Sequence, residues 1–413
     1  MLQESLDYGM SKRMSHTQYY HINKSSLTRR NPERNRSSLA GSVILNSYAG
    51  PIDYVLILCV LTLIGFGTLM VFSTTALSSI ETGASSVSFL QKHLMGIFLG
   101  TLIGFVSFKI KPTTWKSFSV PLIIISFALL LMVLVAGKTA GGATRWIQFG
   151  PLRVQPGEFV KLAVLISIAS YADKFKDRLG SFLYGVLIPG LFLSIFGALL
   201  LLQPDFGSTA VIFFVAGAQL LLVVTLSHFV SVGALAVVAG GFLVALSPYR
   251  MRRFLAFLDP FSDPSSSGYQ LIQSLIAVGS GGLWGEGLGV GRQKLYYLPA
   301  AHTDFIYAVI AEEFGLIGAV SILILFLAIL YRGMRIALRL SQSVFLSLLA
   351  VGLTLIIVLP SLLNMGVVLG LLPTKGLVLP FISYGGTAMI ISCISIGILI
   401  RLSTEHIETE EDT

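Results

Sequence analysis

Charge is scarce in this chain. Of its 413 residues only 12% are Asp, Glu, Lys or Arg, against 54% hydrophobic, a balance that excludes an ordinary soluble globular domain. Cysteine is scarcer still. Cys59 and Cys393 both fall inside apolar runs, which supports neither a disulfide framework nor a metal site. The first fifty residues are polar and rich in Ser, Asn and Arg, so no cleavable signal peptide is expected and the first apolar run must direct insertion itself. No internal repeat of the transporter kind is evident, which weighs against symmetric alternating access.

What the chain does have is apolar runs of about 20 residues, the length an α-helix needs to cross ~30 Å of hydrocarbon. They do not show the period-2 alternation of a barrel. The expected fold is therefore an all-α integral membrane protein of about ten transmembrane helices. The spans are placed at Tyr54 to Ser73, Leu94 to Phe108, Ser119 to Ala136, Gly157 to Ala172, Phe182 to Leu202, Gly207 to Thr225, Phe229 to Leu246, Asp304 to Tyr331, Val344 to Leu371 and Pro380 to Leu402.

Lys and Arg near span ends set the orientation. The leader carries Lys12, Arg13, Lys24, Arg29, Arg30, Arg34 and Arg36, and even-numbered spans exit to Lys109, Lys111 and Lys116, to Lys174, Lys176 and Arg178, and to Arg332, Arg335 and Arg339. Both termini are thus expected in the cytoplasm. The chain divides into a basic leader (1–53), a membrane domain (54–402) with a large outer loop between helices 7 and 8 (247–303), and an acidic tail (403–413). The leader reads as a solvated tail or as a recruiter of a cytoplasmic partner.

Some basic residues break the inside bias. Lys138, Arg145 and Arg153 beside Trp146, and Arg250, Arg252, Arg253, Arg292 and Lys294 near Phe254, Phe257, Trp284, Tyr296 and Tyr297, suit an anionic amphiphile at the outer leaflet. For any single Arg, headgroup anchoring is the ordinary alternative. In the outer loop, Leu271, Leu275, Ile276 and Val278 could form an interfacial helix. The GSGGLWGEGLGVG run after it has no βαβ context, so a nucleotide-binding reading is rejected.

Ionisable residues at membrane depth are functional candidates. Glu158 and Lys161 sit at i,i+3 on one helix face and can pair, as a structural salt bridge or as substrate contacts. Asp205, in QPDFGST, reads first as a helix cap. Glu312 and Glu313 are costly unless paired or protonated, one suited to a cavity and the other to a structural hydrogen bond. The best candidate site is LYYLPAAHTDFIYAVIAEE, Leu295 to Glu313. There Asp304, with His302 beside it, is either a carboxylate serving the first turn of a helix or a general base or divalent-cation ligand.

The segments GGATRWIQFGPLRVQPGEFVKL, LLQPDFGST, PYRMRRFLAFLDP, GSGYQLIQSLIAVGSGGLWGEGLG, LPAAHTDFIYAVIAEEFG and GLLPTKGLVLPFISYGG closely resemble, in this order, those of the SEDS family (shape, elongation, division and sporulation). PTKG at Pro373 to Gly376 and the long leader resemble its cell-division branch. The resemblance implies a peptidoglycan glycosyltransferase that polymerises lipid II beside a class B penicillin-binding protein and divisome regulators, in the bacterial cytoplasmic membrane at the septum. It puts the essential acid on Asp304 and the polar cavity residues on Glu158, Lys161 and Asp205. Gly157 stands where the family commonly has Ser, and Thr387 and Ala388 stand where SYGGSS is usual.

On this reading Asp304 is the catalytic base, with a Mg or Mn ion as a candidate cofactor and no organic one. Pyrophosphate charge is offset by some of Arg145, Arg250, Arg252, Arg253, Lys161 and Lys375, with Trp146 and His302 as further substrate contacts. Lipid II and membrane lipids are the expected ligands, and nucleic acid is not. A lipid II flippase is the alternative, since polar residues at depth also mark substrate paths. The grouping of candidates on the outer face favours the enzyme.

Overall fold

The computed structural model describes residues 50–405 apart from 83–85, 141–142, 150–151, 229, 231–232, 234–239, 243–244, 247, 263, 265–267, 292–297, 299–300 and 375. Among the described residues the α-helices are numbered α1 Tyr54–Thr82, α2 Ser86–Lys109, the short α3 Pro112–Ser117, α4 Ser119–Ala136, α5 Pro156–Lys174, α6 Ile188–Leu202, α7 Phe206–Leu221, α8 Pro248–Leu258, α9 Tyr269–Ser280, α10 Ile306–Arg339, α11 Val344–Val368 and α12 Gly386–Ser403. Seven helices of this described part are long and apolar enough to cross a membrane, and α7 is a shorter apolar helix. The protein is thus an α-helical, multi-span membrane protein. The run expected at Phe229 to Leu246 lies largely outside the described residues.

Helix α5 departs from the simple hydropathy pattern. It carries Glu158, Lys161, Asp173 and Lys174, yet it is a central helix, packed against α4, α7 and α11. A helix sheltered from lipid by its neighbours needs no apolar stripe toward the hydrocarbon, and its charges can be met by protein groups.

Three short antiparallel strands, β1 Lys138–Ala140, β2 Ala143–Phe149 and β3 Leu152–Val154, form a meander between α4 and α5. Hydropathy did not reveal it. The segment is too short to span, and the meander pairs its own backbone groups, with Ile147 opposite Val154 and Gln148 opposite Arg153.

Helix α10 breaks at Gly315, whose φ of 64° and ψ of −163° lie outside helical space. In an unbroken helix the carbonyls of Glu312 and Glu313 would accept from the amides of Leu316 and Ile317. Instead those amides donate to Gly282 O (2.9 Å) and Leu283 O (3.3 Å), while the two carbonyls accept from Glu286 N (3.0 Å) and Gly287 N (3.1 Å). The glycine-rich run therefore docks into the break and exchanges backbone hydrogen bonds with it. A side chain at Gly285 would not fit, because a β-carbon there would overlap Glu313 O.

Several boundaries move relative to the hydropathy reading: α1 runs on to Thr82 rather than Ser73, α2 begins at Ser86 rather than Leu94, and α10 runs on to Arg339 rather than Tyr331. Helix α12 begins at Gly386 rather than at Pro380, because the preceding residues form turns and Phe381 takes a φ of 65°. Helix α10 begins at Ile306, so Asp304 precedes the helix rather than opening it. Helix α9 does not simply lie on the bilayer either. Leu271, Ser274 and Ala277 are buried, and Ser274 Oγ donates to Val368 O at 2.8 Å, tying α9 to α11, while Ile276 remains exposed.

Candidate functional site

Asp304 lies in a turn, Ala301 to Phe305, whose backbone is held at three consecutive carbonyls. His302 O accepts from Tyr384 N (3.0 Å), Thr303 O from the Ser383 hydroxyl (2.6 Å) and Asp304 O from Asn364 Nδ2 (2.7 Å). Ser383 and Asn364 each bind a second group on the segment from Leu377 to Tyr384. Leu379 N donates to Ser383 Oγ at 2.8 Å, and Asn364 Nδ2 donates to Leu377 O at 2.5 Å. Two loops without regular structure are thereby clamped to each other and to α11. On the side-chain side, Asp304 Oδ2 occupies the space beside Gly376, 2.6 Å from where a β-carbon would stand.

His302 is packed among rings, 6.1 Å from Phe89 and 6.0 Å from Tyr384 between centroids. Burial holds its pKa below the ordinary 6.5, which keeps the imidazole neutral near pH 7.

The second group lies on α5. Lys161 Nζ and Glu158 Oε1 are 2.7 Å apart, and both residues are buried. The pair lines a narrow cleft, bounded also by Pro360, Val378, Pro380 and Ser392. Val378 and Pro380 belong to the segment clamped over Asp304, so this segment both walls the cleft and seats the carboxylate.

Asp205 caps α7. Its Oδ1 accepts from Ser208 N (3.2 Å), and its Oδ2 accepts from Ser208 Oγ (2.7 Å) and Gln155 Nε2 (3.3 Å). A β-carbon at Gly157 would lie 3.1 Å from Asp205 Oδ2, so α5 and α7 begin against one another. A β-carbon at Gly207 would be 3.6 Å from both Asp205 Oδ1 and Gly376 O. Gly376 therefore stands between the Asp205 cap and Asp304.

Arg145, on β2, is engaged by the protein itself. Its guanidinium donates to Gln203 O at 3.4 Å and also to Pro204 O, bracing the backbone just before Asp205. Trp146 is half-buried on the same strand. Arg252 is exposed on α8, Arg250 and Arg253 are placed on that helix by backbone alone, and Lys375 lies outside the described residues. The structure thus gathers Asp304, His302 and, through Gly376, Asp205, with Glu158 and Lys161 lining the adjoining cleft.

Glu313 accepts from Ser73 Oγ at 2.9 and 3.1 Å, tying α10 to α1. Glu312 is buried against Gly291. Thr387, at the unusual SYGGTA position, accepts from Gln155 N (3.1 Å) and donates to Arg153 O (3.3 Å), so its hydroxyl joins α12 to the start of α5.

Asn364, Ser383 and Gly376 were not singled out as site residues from the sequence. Asn364 had a usable signal, an amide inside a long apolar helix, where a polar side chain must find partners. Ser383 and Gly376 lie within the GLLPTKGLVLPFISYGG segment, but as small loop residues they carry no sign of contact with Asp304. Among the described residues no three His, Cys, Asp or Glu side chains converge as a metal site.

The family model FTSW_RODA_SPOVE, described as a cell cycle protein, matches residues 54–408. Similar curated proteins include one named "Probable peptidoglycan glycosyltransferase FtsW" from Coxiella burnetii, 41% identical over 86% of this chain and 96% of its own. Another of the same name, from Legionella pneumophila, is 40% identical over 86% of this chain and 91% of its own. Among solved structures, a chain from "Structural coordination of polymerization and crosslinking by a peptidoglycan synthase complex" aligns with TM-score 0.65 and 28% identity, covering 84% of this chain and 96% of that one. Rod shape determining protein RodA of Thermus thermophilus aligns with TM-score 0.61 and 26% identity, covering 85% of this chain and 97% of that one. Matched from its first membrane helix to beyond its last, the chain belongs to the FtsW/RodA/SpoVE family of cell cycle proteins.

Proposed function

We propose that the protein is a peptidoglycan glycosyltransferase that polymerises lipid II at the outer face of the cytoplasmic membrane during septal wall synthesis. The observation that carries this reading is the seat of Asp304, a carboxylate whose backbone is bound at three successive carbonyls and whose side chain lies against Gly376. Such restraint holds a proton acceptor in one place, which is what general base catalysis needs.

In the proposed step Asp304 takes the proton of the acceptor GlcNAc 4-hydroxyl as that oxygen bonds to the anomeric carbon of the growing strand. The anomeric carbon's bond to pyrophosphate breaks, and undecaprenyl pyrophosphate leaves with the electron pair. A single displacement inverts the centre, so an α-linked donor gives a β-linked glycan. Pyrophosphate departs without a general acid, so a second carboxylate of the hydrolase kind is not needed. Lys161 lines the cleft, where it would offset phosphate charge. A Mg or Mn ion would be held on the protein's side by Asp304. Such an ion would neutralise charge developing on the leaving group.

The same reading includes ten spans with both termini cytoplasmic, the 247–303 loop outside, and a class B penicillin-binding protein as partner. The likeness to a chain of a peptidoglycan synthase complex supports that partner. The test is to purify the protein with its partner, supply lipid II and resolve the products on a gel. Asp304→Ala is expected to fold and make no glycan, and glycan at the wild-type rate would refute the assignment. The buried Glu158–Lys161 pair also suits passage of a charged headgroup. Fluorescent lipid II crossing liposome membranes without polymerisation would favour a flippase.

A further inference from the structure

We infer that Asn364 is a positioning residue for the reaction, holding the Asp304 carboxylate against Gly376. The assignment rests on Asp304 being the proton acceptor. Asn364 lies on α11 one turn after Pro360 and is buried. Its amide nitrogen donates to Asp304 O at 2.7 Å and to Leu377 O at 2.5 Å. Both acceptors are backbone atoms of loops. One belongs to the residue that carries the carboxylate, and the other to the neighbour of Gly376, against which that carboxylate packs. One side chain thus sets the spacing of the two surfaces whose contact defines the seat.

Two features argue for more than packing. A carboxamide has two N–H donors, and both are used here, so rotating it would set its oxygen against two carbonyls. Only one orientation works, and the clamp is rigid. In that orientation Oδ1 is buried with no hydrogen-bond partner among the described residues. The amide is therefore placed by its two donated bonds and not by Oδ1. Ser383 supports the same turn one residue earlier, at Thr303 O. Asn364 reaches the backbone of Asp304 itself.

The experiment uses the full chain with its partner and measures polymerisation over a range of lipid II concentrations and pH. Rates are normalised to the protein that binds fluorescent lipid II, so that loss of folded molecules does not count as loss of chemistry. Asn364→Ala is expected to lower normalised kcat by about 10- to 100-fold and to leave KM close to wild type. It should also shift the acid limb of the kcat profile, because a carboxylate released from its seat changes environment. Asn364→Ser, which retains one donor, should fall between Ala and wild type, and it supplies a folded variant if Ala fails to fold. A merely structural residue would scale the profile without moving its limb. A normalised kcat equal to wild type with an unmoved limb would overturn the assignment. If Asp304→Ala is inactive while the Asn364 variants are normal, only this inference falls. If Asp304→Ala polymerises at the wild-type rate, the proton-acceptor reading falls and takes this one with it.

Discussion

Gly376 and Asp304 share one space, for a β-carbon on the glycine would lie 2.6 Å from the aspartate Oδ2, closer than van der Waals contact allows. Gly376→Ala must push the carboxylate or the loop aside. It is expected to lower the lipid II polymerisation rate by about 10- to 100-fold. Melting temperature should change little, since Gly376 is exposed and lies in a loop. Rates and melting curves on the same preparation check this, and an unchanged rate would mean that the seat of Asp304 tolerates displacement.

The Glu158–Lys161 pair separates a structural role from a substrate role through a coupling measurement. Lys161→Met alone leaves a buried carboxylate without its partner, a loss of about 3–5 kcal/mol when a pair is fully buried. Glu158→Gln with Lys161→Met should recover most of that stability. If the pair only staples α5, the double variant regains activity along with stability. If Lys161 meets phosphate in the cleft, the double variant is stable and slow. Denaturation and polymerisation assays on the two variants distinguish these outcomes.

His302 predicts a pH dependence with a definite sign. Its folded-state pKa is depressed by burial, so on acidification the unfolded chain takes up the proton first. The stability contributed by the neutral ring is fully present above the ordinary value of 6.5 and is lost as pH falls through the lower folded value. Wild-type protein should therefore lose melting temperature on acidification below that ordinary value faster than His302→Phe, which keeps a ring beside Phe89 and Tyr384 and cannot titrate. Parallel slopes would show that other groups govern the acid response.

Much of this protein was legible in neighbouring residues. Apolar runs of membrane length establish the helices, because hydrocarbon demands that backbone groups pair within a segment. The i,i+3 spacing of Glu158 and Lys161 placed them on one helix face, and the observed pair follows from that spacing. Asp205 precedes Phe206 with Ser208 three residues on, and it caps α7 through that serine.

Other features depend on partners far away in the chain. The glycine-rich run offered φ freedom but no hint of what used it; its partner is the break at Gly315, and the two are joined by hydrogen bonds between separate segments. Among the described residues, the recorded partners of the Asp304 turn are distant in sequence. Asn364, Gly376, Ser383 and Tyr384 lie 60 or more positions later, and they reach it only because α11 returns to the end of the bundle where α10 begins. The α-helical, multi-span character, the local pair and cap, and the identity of the candidate acid could be read along the chain, since they follow from hydropathy, short-range geometry and motif. That this acid sits before its helix, against a glycine and under an asparagine clamp, could not, because those contacts exist only once distant segments have packed together.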